Sequence, residues 1–191
     1  MKSIILMVVV AILATTTSQA QINNTKVETV NLHGNHQQNE VKSTTVQTNQ
    51  LTTVFDNYFA LKDNLVKTDG ISASENAKGL VNAINAVKMD KLPMNVHTVW
   101  MKLLNGLKED AEHINETKDI VHQRDHFMSL SKNMYEVIKV ANPVEPVYYQ
   151  FCPMANQGKG ANWLSRETAI KNPYYGSRML SCGKVVETIK P

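Results

Sequence analysis

Apolar residues recur at steps of three and four from Leu51 to about residue 141, and this periodicity constrains the fold more than any other feature of the chain. Such spacing places the apolar side chains on one face of an α-helix. The pattern is interrupted near residues 70, 92 and 116, so it predicts four helices of about 15 to 25 residues. Because the interruptions are short, consecutive helices should run antiparallel, as in an up-and-down bundle.

Residues at the interruptions predict where the helices begin and end. Gly70 suits the left-handed conformation that follows a helix, and Ser72 with Glu75 makes a capping box for the second helix. Pro93 is suited to the first turn of the third helix. Asn142, which is followed by a proline, marks the end of the fourth helix.

Residues 143–191 lack the helical periodicity of residues 51–142 and form a distinct tail. The segment from Val147 to Cys152 is typical of a short extended strand, and the glycines and prolines after it are typical of ordered turns. A segment of this size cannot build a core alone, so the tail should pack against the bundle. We therefore predict an all-α fold, an up-and-down bundle of about four helices with an irregular, turn-rich C-terminal segment packed on it.

Residues 1–20 have the features of a secretory signal peptide. A charged start is followed by an apolar run, which ends in a small-x-small cleavage pattern at Ala20. Residues 21–50 are rich in Asn, Gln and Thr, which predicts a disordered polar leader before a single helical domain at 51–191. No stretch is apolar enough to span a bilayer. The sequence therefore predicts export, to the periplasm or to the extracellular space.

The charge balance and the missing motifs exclude several classes of function. The chain has 20 basic and 17 acidic residues, a formal net charge of +3, which is too close to balance for a general nucleic-acid binder. It contains no G-x-S-x-G, no G-x-x-x-x-G-K-[ST] and no H-E-x-x-H motif. We therefore expect a non-enzymatic protein that binds neither DNA nor RNA.

The tail holds both cysteines, and each has a methionine nearby: Cys152 with Met154, and Cys182 with Met179. Thiolate and thioether sulfurs are soft ligands that select Cu(I) over hard ions. In an exported protein, however, two cysteines by default form a disulfide. Closing a loop of this length would stabilise the fold by roughly 3 to 4 kcal/mol. Both interpretations stay open, a four-sulfur metal site or a structural disulfide, whereas the spacing disfavours a redox C-x-x-C site.

His122 and His126 lie four residues apart on the predicted fourth helix, so their rings project from the same side. Relative to the inward-facing Phe127, both lie on the flank of the bundle, where a ligand could enter. Stable metal sites use three or four ligands, and no third ligand is adjacent in the sequence. The pair is therefore a weaker metal candidate than the sulfur set, and His97 and His113, isolated in the sequence, are given no role.

The tail is also basic and aromatic, which suggests a binding surface. From residue 151 onward it carries six basic and two acidic residues, a net charge of +4. Such a surface fits a partner protein or an envelope polymer. The residues that would make the contact are Trp163, Tyr174, Tyr175, Arg166 and Arg178.

Short motifs within residues 55–189 resemble one bacterial family. They are YFALK at 58–62, QR at 123–124, CPMA at 152–155, GANWLS at 160–165 and NPYYG at 172–176. The chain resembles domain-of-unknown-function family 3347 in these motifs. The resemblance implies exported helical domains, some of them fused to periplasmic adaptor subunits of heavy-metal efflux pumps.

The leading hypothesis from the sequence is an exported, non-enzymatic domain that binds or hands on a soft metal such as copper. The expected ligands are Cys152, Met154, Met179 and Cys182, with His122 and His126 as weaker candidates. A metal-efflux adaptor or a metallochaperone would be its partner. The alternative is a disulfide-stabilised interaction module that binds a partner protein or envelope polymer through its basic, aromatic tail.

Overall fold

The computed structural model describes residues 39–191, with side chains from residue 50 onward. The predicted signal peptide and residues 21–38 of the predicted leader lie outside the described residues. The helices are α1 (Asn39–Lys67), α2 (Gly70–Ala86), α3 (Met94–Glu116) and α4 (Ile120–Ala141). The strands are β1 (Val147–Cys152), β2 (Ala161–Ser165) and β3 (Lys184–Ile189).

The four helices form the predicted bundle. Consecutive helices pack against each other, and α1 also contacts α4, which closes the bundle. The apolar stripes meet in one core in which Trp100, Leu61 and Phe127 are fully buried. No described helix is long and apolar enough to cross a membrane.

The α1–α2 junction is capped differently from the prediction. Asp69, not Ser72, is the N-cap of α2, because its carboxylate accepts from the Ser72 backbone N–H at 3.0 Å and from the Ser72 hydroxyl at 2.7 Å. The left-handed residue is Thr68, with φ of 61°, rather than Gly70. Gly70 is required for a different reason: a Cβ there would lie 2.3 Å from the carbonyl oxygen of Lys118.

The start of α1 differs from the sequence prediction, and the start of α4 is capped by an aspartate. Helix α1 begins at Asn39, so residues 39–50 are helical although their polar composition predicted a disordered leader. Helix α4 begins at Ile120, after an Asp119 side chain that accepts from the Val121 N–H. Its predicted end is confirmed, since Asn142 takes the left-handed conformation with φ of 48°.

The tail contains a three-stranded antiparallel sheet with strand order β2-β1-β3. The fold is therefore mainly helical but not all-α, which corrects the prediction. The extended segment at β1 was predicted; β2 was missed because its five residues, ANWLS, are nearly all buried and do not alternate. Strand β3 is exposed along most of its length, so it too lacks an alternating pattern.

The sheet is attached to the bundle by buried polar contacts. The Tyr58 hydroxyl of α1 accepts from the Leu164 N–H of β2 at 3.1 Å and shares a hydrogen bond of 2.8 Å with Ser131 of α4. The Arg124 Nε donates to the carbonyl oxygen of Pro173 at 2.7 Å. Helix α4 is therefore fixed between the bundle core on one side and the tail on another.

Candidate metal centre

Three imidazole rings converge where the end of α3 meets the start of α4. His113 comes from α3, and His122 and His126 come from α4. One potential ligand atom from each ring lies within 4.8 Å of those of the other two. This group is called the histidine cluster below, and it could hold a metal ion.

The rings of the histidine cluster are packed on one another. His113 and His126 are stacked, with centroids 4.5 Å apart and an angle of 11° between their planes. His122 is tilted against His126 at a centroid distance of 4.8 Å. Stacked rings do not direct their nitrogens at one point, so the side chains would have to rotate for all three to bind one ion.

A buried carboxylate hydrogen-bonds one ring of the histidine cluster. Asp110, 8% exposed, lies one turn before His113 on α3. Its Oδ1 is 3.1 Å from His126 Nδ1 and accepts from the Ser129 hydroxyl at 2.7 Å. A carboxylate on one ring nitrogen holds the proton there, fixes the ring orientation and leaves the other nitrogen free as a ligand. Asp110 therefore prepares the Nε2 of His126 for coordination.

The donor set fits a transition-metal ion. Zinc is bound by histidine nitrogens at about 2.0–2.1 Å, which places two ligands of a tetrahedral ion about 3.4 Å apart. The separations in the cluster are up to 4.8 Å, so a shift of about 1 Å in the side chains would suffice. Imidazole suits zinc, copper, iron and nickel. Water would complete the coordination, since the cluster lies on the solvent-accessible flank and His126 is 26% exposed.

Gln123 holds together the two helix ends that carry the cluster. The side chain is fully buried, and its Nε2 donates to the carbonyl oxygens of Gly70 and Thr117 at 2.8 Å and of Ile114 at 3.3 Å. These carbonyls belong to the start of α2, the α3–α4 connection and the last turn of α3. The contact with Ile114 fixes the residue next to His113 relative to α4.

Sequence reasoning found two of the three histidines. The structure places His122 and His126 beside each other on the flank, as their spacing predicted, and it brings in His113, which had been given no role. The missed signal was the short α3–α4 connection: a helical hairpin centred near residue 118 places residue 113 beside 122 and 123, and residue 110 beside 126. His97, at the other end of α3, lies outside the cluster.

The structure also brings the two cysteines together. Their sulfurs are 2.9 Å apart, although thirty residues separate them in the chain. That separation exceeds the 2.03–2.05 Å of a disulfide bond, and both are free thiols. The hydrogen bond with Cys152, together with burial, raises the pKa of Cys182. The two thiols are therefore close enough to contact the same ligand, and the disulfide is not formed in this structure.

The methionines of the predicted sulfur set lie in the same region as the thiols. Cys182 N–H donates to the carbonyl oxygen of Met179 at 3.1 Å, and Met154 lies two residues after Cys152. Met154 is 52% and Met179 36% exposed. Both side chains are thus accessible near a thiol pair of which Cys152 is fully buried.

The predicted partner surface is only partly at the surface. Trp163 is fully buried and Tyr174 almost so, and the two rings pack edge to face 5.9 Å apart. They belong to the core between tail and bundle, which removes them from any contact with a partner. Tyr175, Arg166 and Arg178 remain accessible, although Arg166 is already paired with an acidic residue of α1.

Fold and site together define a small helical bundle domain with a β-sheet tail and a flank cluster of histidines suited to a metal ion. Residues 54–145 match the model of a family described as "Protein of unknown function (DUF3347)". This match supports the resemblance that the motifs indicated, over the part of the chain that the model covers. The matched segment includes the whole histidine cluster and ends at residue 145, before both cysteines. No curated protein and no solved structure matches the chain significantly.

Proposed function

We propose that this chain is an exported, non-enzymatic domain that binds or hands on a transition metal, namely copper, at the histidine cluster. The observation that carries the proposal is the convergence of His113, His122 and His126 in front of the buried Asp110. Three imidazoles with a supporting carboxylate are a recurrent first and outer shell of protein metal sites. The surface position of the cluster suits exchange of the ion with a partner.

Copper is favoured because its two oxidation states suit the two ligand sets of this chain. Cu(II) ranks highest among divalent first-row ions at nitrogen sites, and Cu(I) prefers thiolate and thioether sulfur. The paired thiols of Cys152 and Cys182, with Met154 and Met179 beside them, remain the proposed Cu(I) ligands. On this proposal each ligand set selects one oxidation state, the histidine cluster Cu(II) and the sulfur set Cu(I), and each ion arrives in the state in which it binds.

Export and a role in metal efflux or homeostasis rest on the sequence. The N-terminal pattern of residues 1–20 supports export, with the periplasm as the proposed compartment. The family resemblance to domains fused to efflux adaptors supports a metal-efflux adaptor or a metallochaperone as the partner.

The test is calorimetric titration of the metal-free Cys152→Ser, Cys182→Ser variant with Cu(II) and with Zn(II), because the free thiols would reduce Cu(II) and bind Zn(II) themselves. We expect one equivalent to bind at the cluster and His113→Ala to weaken binding by at least about tenfold, since it removes one of three ligands. His97→Ala is the matched control, because His97 lies on the same helix outside the cluster. Equal affinities in the two variants would refute the assignment.

The sulfur set is tested separately with Cu(I). A competition titration against a chromophoric Cu(I) chelator should show binding by the reduced protein and none by the Cys152→Ser, Cys182→Ser double variant. An unchanged Cu(I) affinity in the double variant would remove the tail from the proposal but leave the histidine cluster standing.

The second candidate function is the disulfide-stabilised interaction module. The 2.9 Å separation of the two sulfurs favours it, because oxidation could join them with only a small movement. Under this alternative, native protein denatured without reductant has no free thiol, reduction lowers the melting temperature, and metals have no effect on either measurement.

A further inference from the structure

The cavity between α4 and the tail carries two unneutralised arginines. Its volume is about 200 Å³, and its lining includes Arg124, Arg178, Tyr175 and Gln157. The chain has three arginines, so two of them meet at this one cavity. None of the three histidines of the cluster lines this cavity, so it is separate from the proposed metal site.

Arg124 has a largely buried guanidinium group, of which one nitrogen has no acceptor among the described residues. It is 6% exposed, and its Nε and Nη2 donate to the carbonyl oxygens of Pro173 and Leu65 and to the Thr68 hydroxyl, at 2.7 to 3.0 Å. Within residues 50–191 its Nη1 has no acceptor, and this atom is not closed off from solvent. The Nη1 is therefore accessible, and the cavity that Arg124 lines is where it can meet a ligand.

No carboxylate among the described side chains neutralises these charges. Throughout the described side chains, neither Arg124 nor Arg178 has a carboxylate oxygen within 4.0 Å, whereas the third arginine, Arg166, pairs with Asp56. The cavity lining contains one acid, the exposed Asp125, so two positive charges face one negative charge. Burial, and then the nearby charge of Arg178, lower the pKa of Arg124, as expected of a cation that lacks a counter-ion.

We propose that this cavity binds an oxyanion, the carboxylate or phosphate group of a ligand, between Arg124 and Arg178. Guanidinium groups bind such oxyanions through paired, charge-assisted hydrogen bonds. The cavity is smaller than the 300–1,000 Å³ usual for drug-sized ligands. The occupant is therefore a small anion or the anionic end of a larger molecule, with the Tyr175 ring and Met128 beside it.

The test is an NMR titration of ¹⁵N-labelled, metal-free protein with sodium phosphate and with sodium acetate, at ionic strength kept constant with sodium chloride. We expect saturable shifts at the Gln157 and Tyr175 amides and at the arginine Nε resonances. Arg178→Gln should weaken binding about tenfold, the loss typical of a hydrogen bond to a charged group. Saturation by one anion and not by the other identifies phosphate or carboxylate as the group recognised.

Arg166→Gln is the matched control, since it removes the same charge from the same tail at a position outside the cavity. Arg124→Lys, which keeps the charge but loses the planar fork, should weaken binding while the protein stays folded. Shifts that do not saturate with either anion, or equal affinities in the Arg178 and Arg166 variants, would overturn the proposal. Because the protein is metal-free, these results do not depend on the histidine cluster.

Discussion

Replacing Tyr58 with Phe should loosen the attachment of the tail to the bundle. Strand β2 is an edge of the sheet, and an edge strand leaves N–H groups without a partner. The Leu164 N–H is one of these, and it donates to the Tyr58 hydroxyl at 3.1 Å. The same hydroxyl lies 2.8 Å from Ser131 Oγ on α4, so a single oxygen joins α1, α4 and the sheet.

The size of the effect follows from these contacts. Tyr58 is fully buried, and burial raises its pKa far above the ordinary value, so the hydroxyl stays protonated. The substitution removes two hydrogen bonds and leaves the buried Leu164 N–H without a partner, whereas Ser131 keeps Tyr174 as a hydrogen-bond neighbour. At about 1 to 3 kcal/mol for the unsatisfied Leu164 N–H and about 0.5 to 1.5 kcal/mol for the lost bond to Ser131, the loss in unfolding free energy should be about 2 to 4 kcal/mol. For a protein of this size that corresponds to a fall in melting temperature of about 5 to 15 °C.

Urea unfolding followed by circular dichroism measures the loss, and hydrogen exchange at the Leu164 amide locates it. Tyr148→Phe is the control, since Tyr148 is only partly buried and its hydroxyl makes no described hydrogen bond; its effect should stay below about 0.5 kcal/mol. A Tyr58 variant as stable as the control would refute the reasoning. So would a loss with unchanged exchange at Leu164, because the tail would then not depend on this contact.

Three further predictions concern the carboxylate beside the histidine cluster, the stability of the protein at high pH, and a glycine turn of the tail. Asp110→Asn should lower metal affinity at the histidine cluster by about 10- to 100-fold in calorimetry, because it removes the charge that orients His126. Burial, and then the neighbouring Tyr135, Glu136 and Glu187, raise the pKa of Tyr149 to about 12. The folded state therefore holds this proton more tightly than the unfolded state, and the free energy of unfolding should fall as the pH rises from about 10 to 12. Tyr149→Phe should reduce that fall when unfolding is measured as a function of pH. Gly160→Ala should lower the melting temperature more than Gly158→Ala: both glycines have positive φ, but only at Gly160 would a Cβ lie 2.3 Å from a ring carbon, and equal losses would count against the steric argument.

The four helices could be predicted from the sequence because their stripes are local. The apolar spacing around Val54, Leu80, Trp100 and Phe127 reports burial within one or two turns. Cap details were less accessible, since Ser72 and Asp69 are both good N-caps and only the geometry of the junction chooses between them. The prediction thus succeeded for the helices and failed at the residues where two helices meet.

The tail and the site depend on contacts between distant residues, and these left little local pattern. Tyr58 followed the apolar stripe of α1, and nothing nearby in the sequence indicated that its hydroxyl meets a strand 106 residues away. Trp163 and Tyr174 looked like surface aromatics because the tail around them is polar, whereas the tail buries them against the bundle. The third histidine of the cluster was accessible in principle, through the hairpin symmetry of α3 and α4, but only once both helix ends were fixed.

One turn of α4 explains how a short run of polar residues can serve three purposes. In HQRDH at 122–126, the two histidines face α3 and complete the cluster, Gln123 points into the junction of three chain segments, and Arg124 faces the tail. A helix advances about 100° per residue, so consecutive residues necessarily reach different neighbours. Gln123 and Arg124 bind main-chain carbonyls, which do not depend on the identity of the partner side chains. Gln123 and Arg124 therefore attach this turn to the main chain of the neighbouring segments. The two histidines on one side of the turn can then bind a metal ion, and Arg124 on the other side can bind an anion.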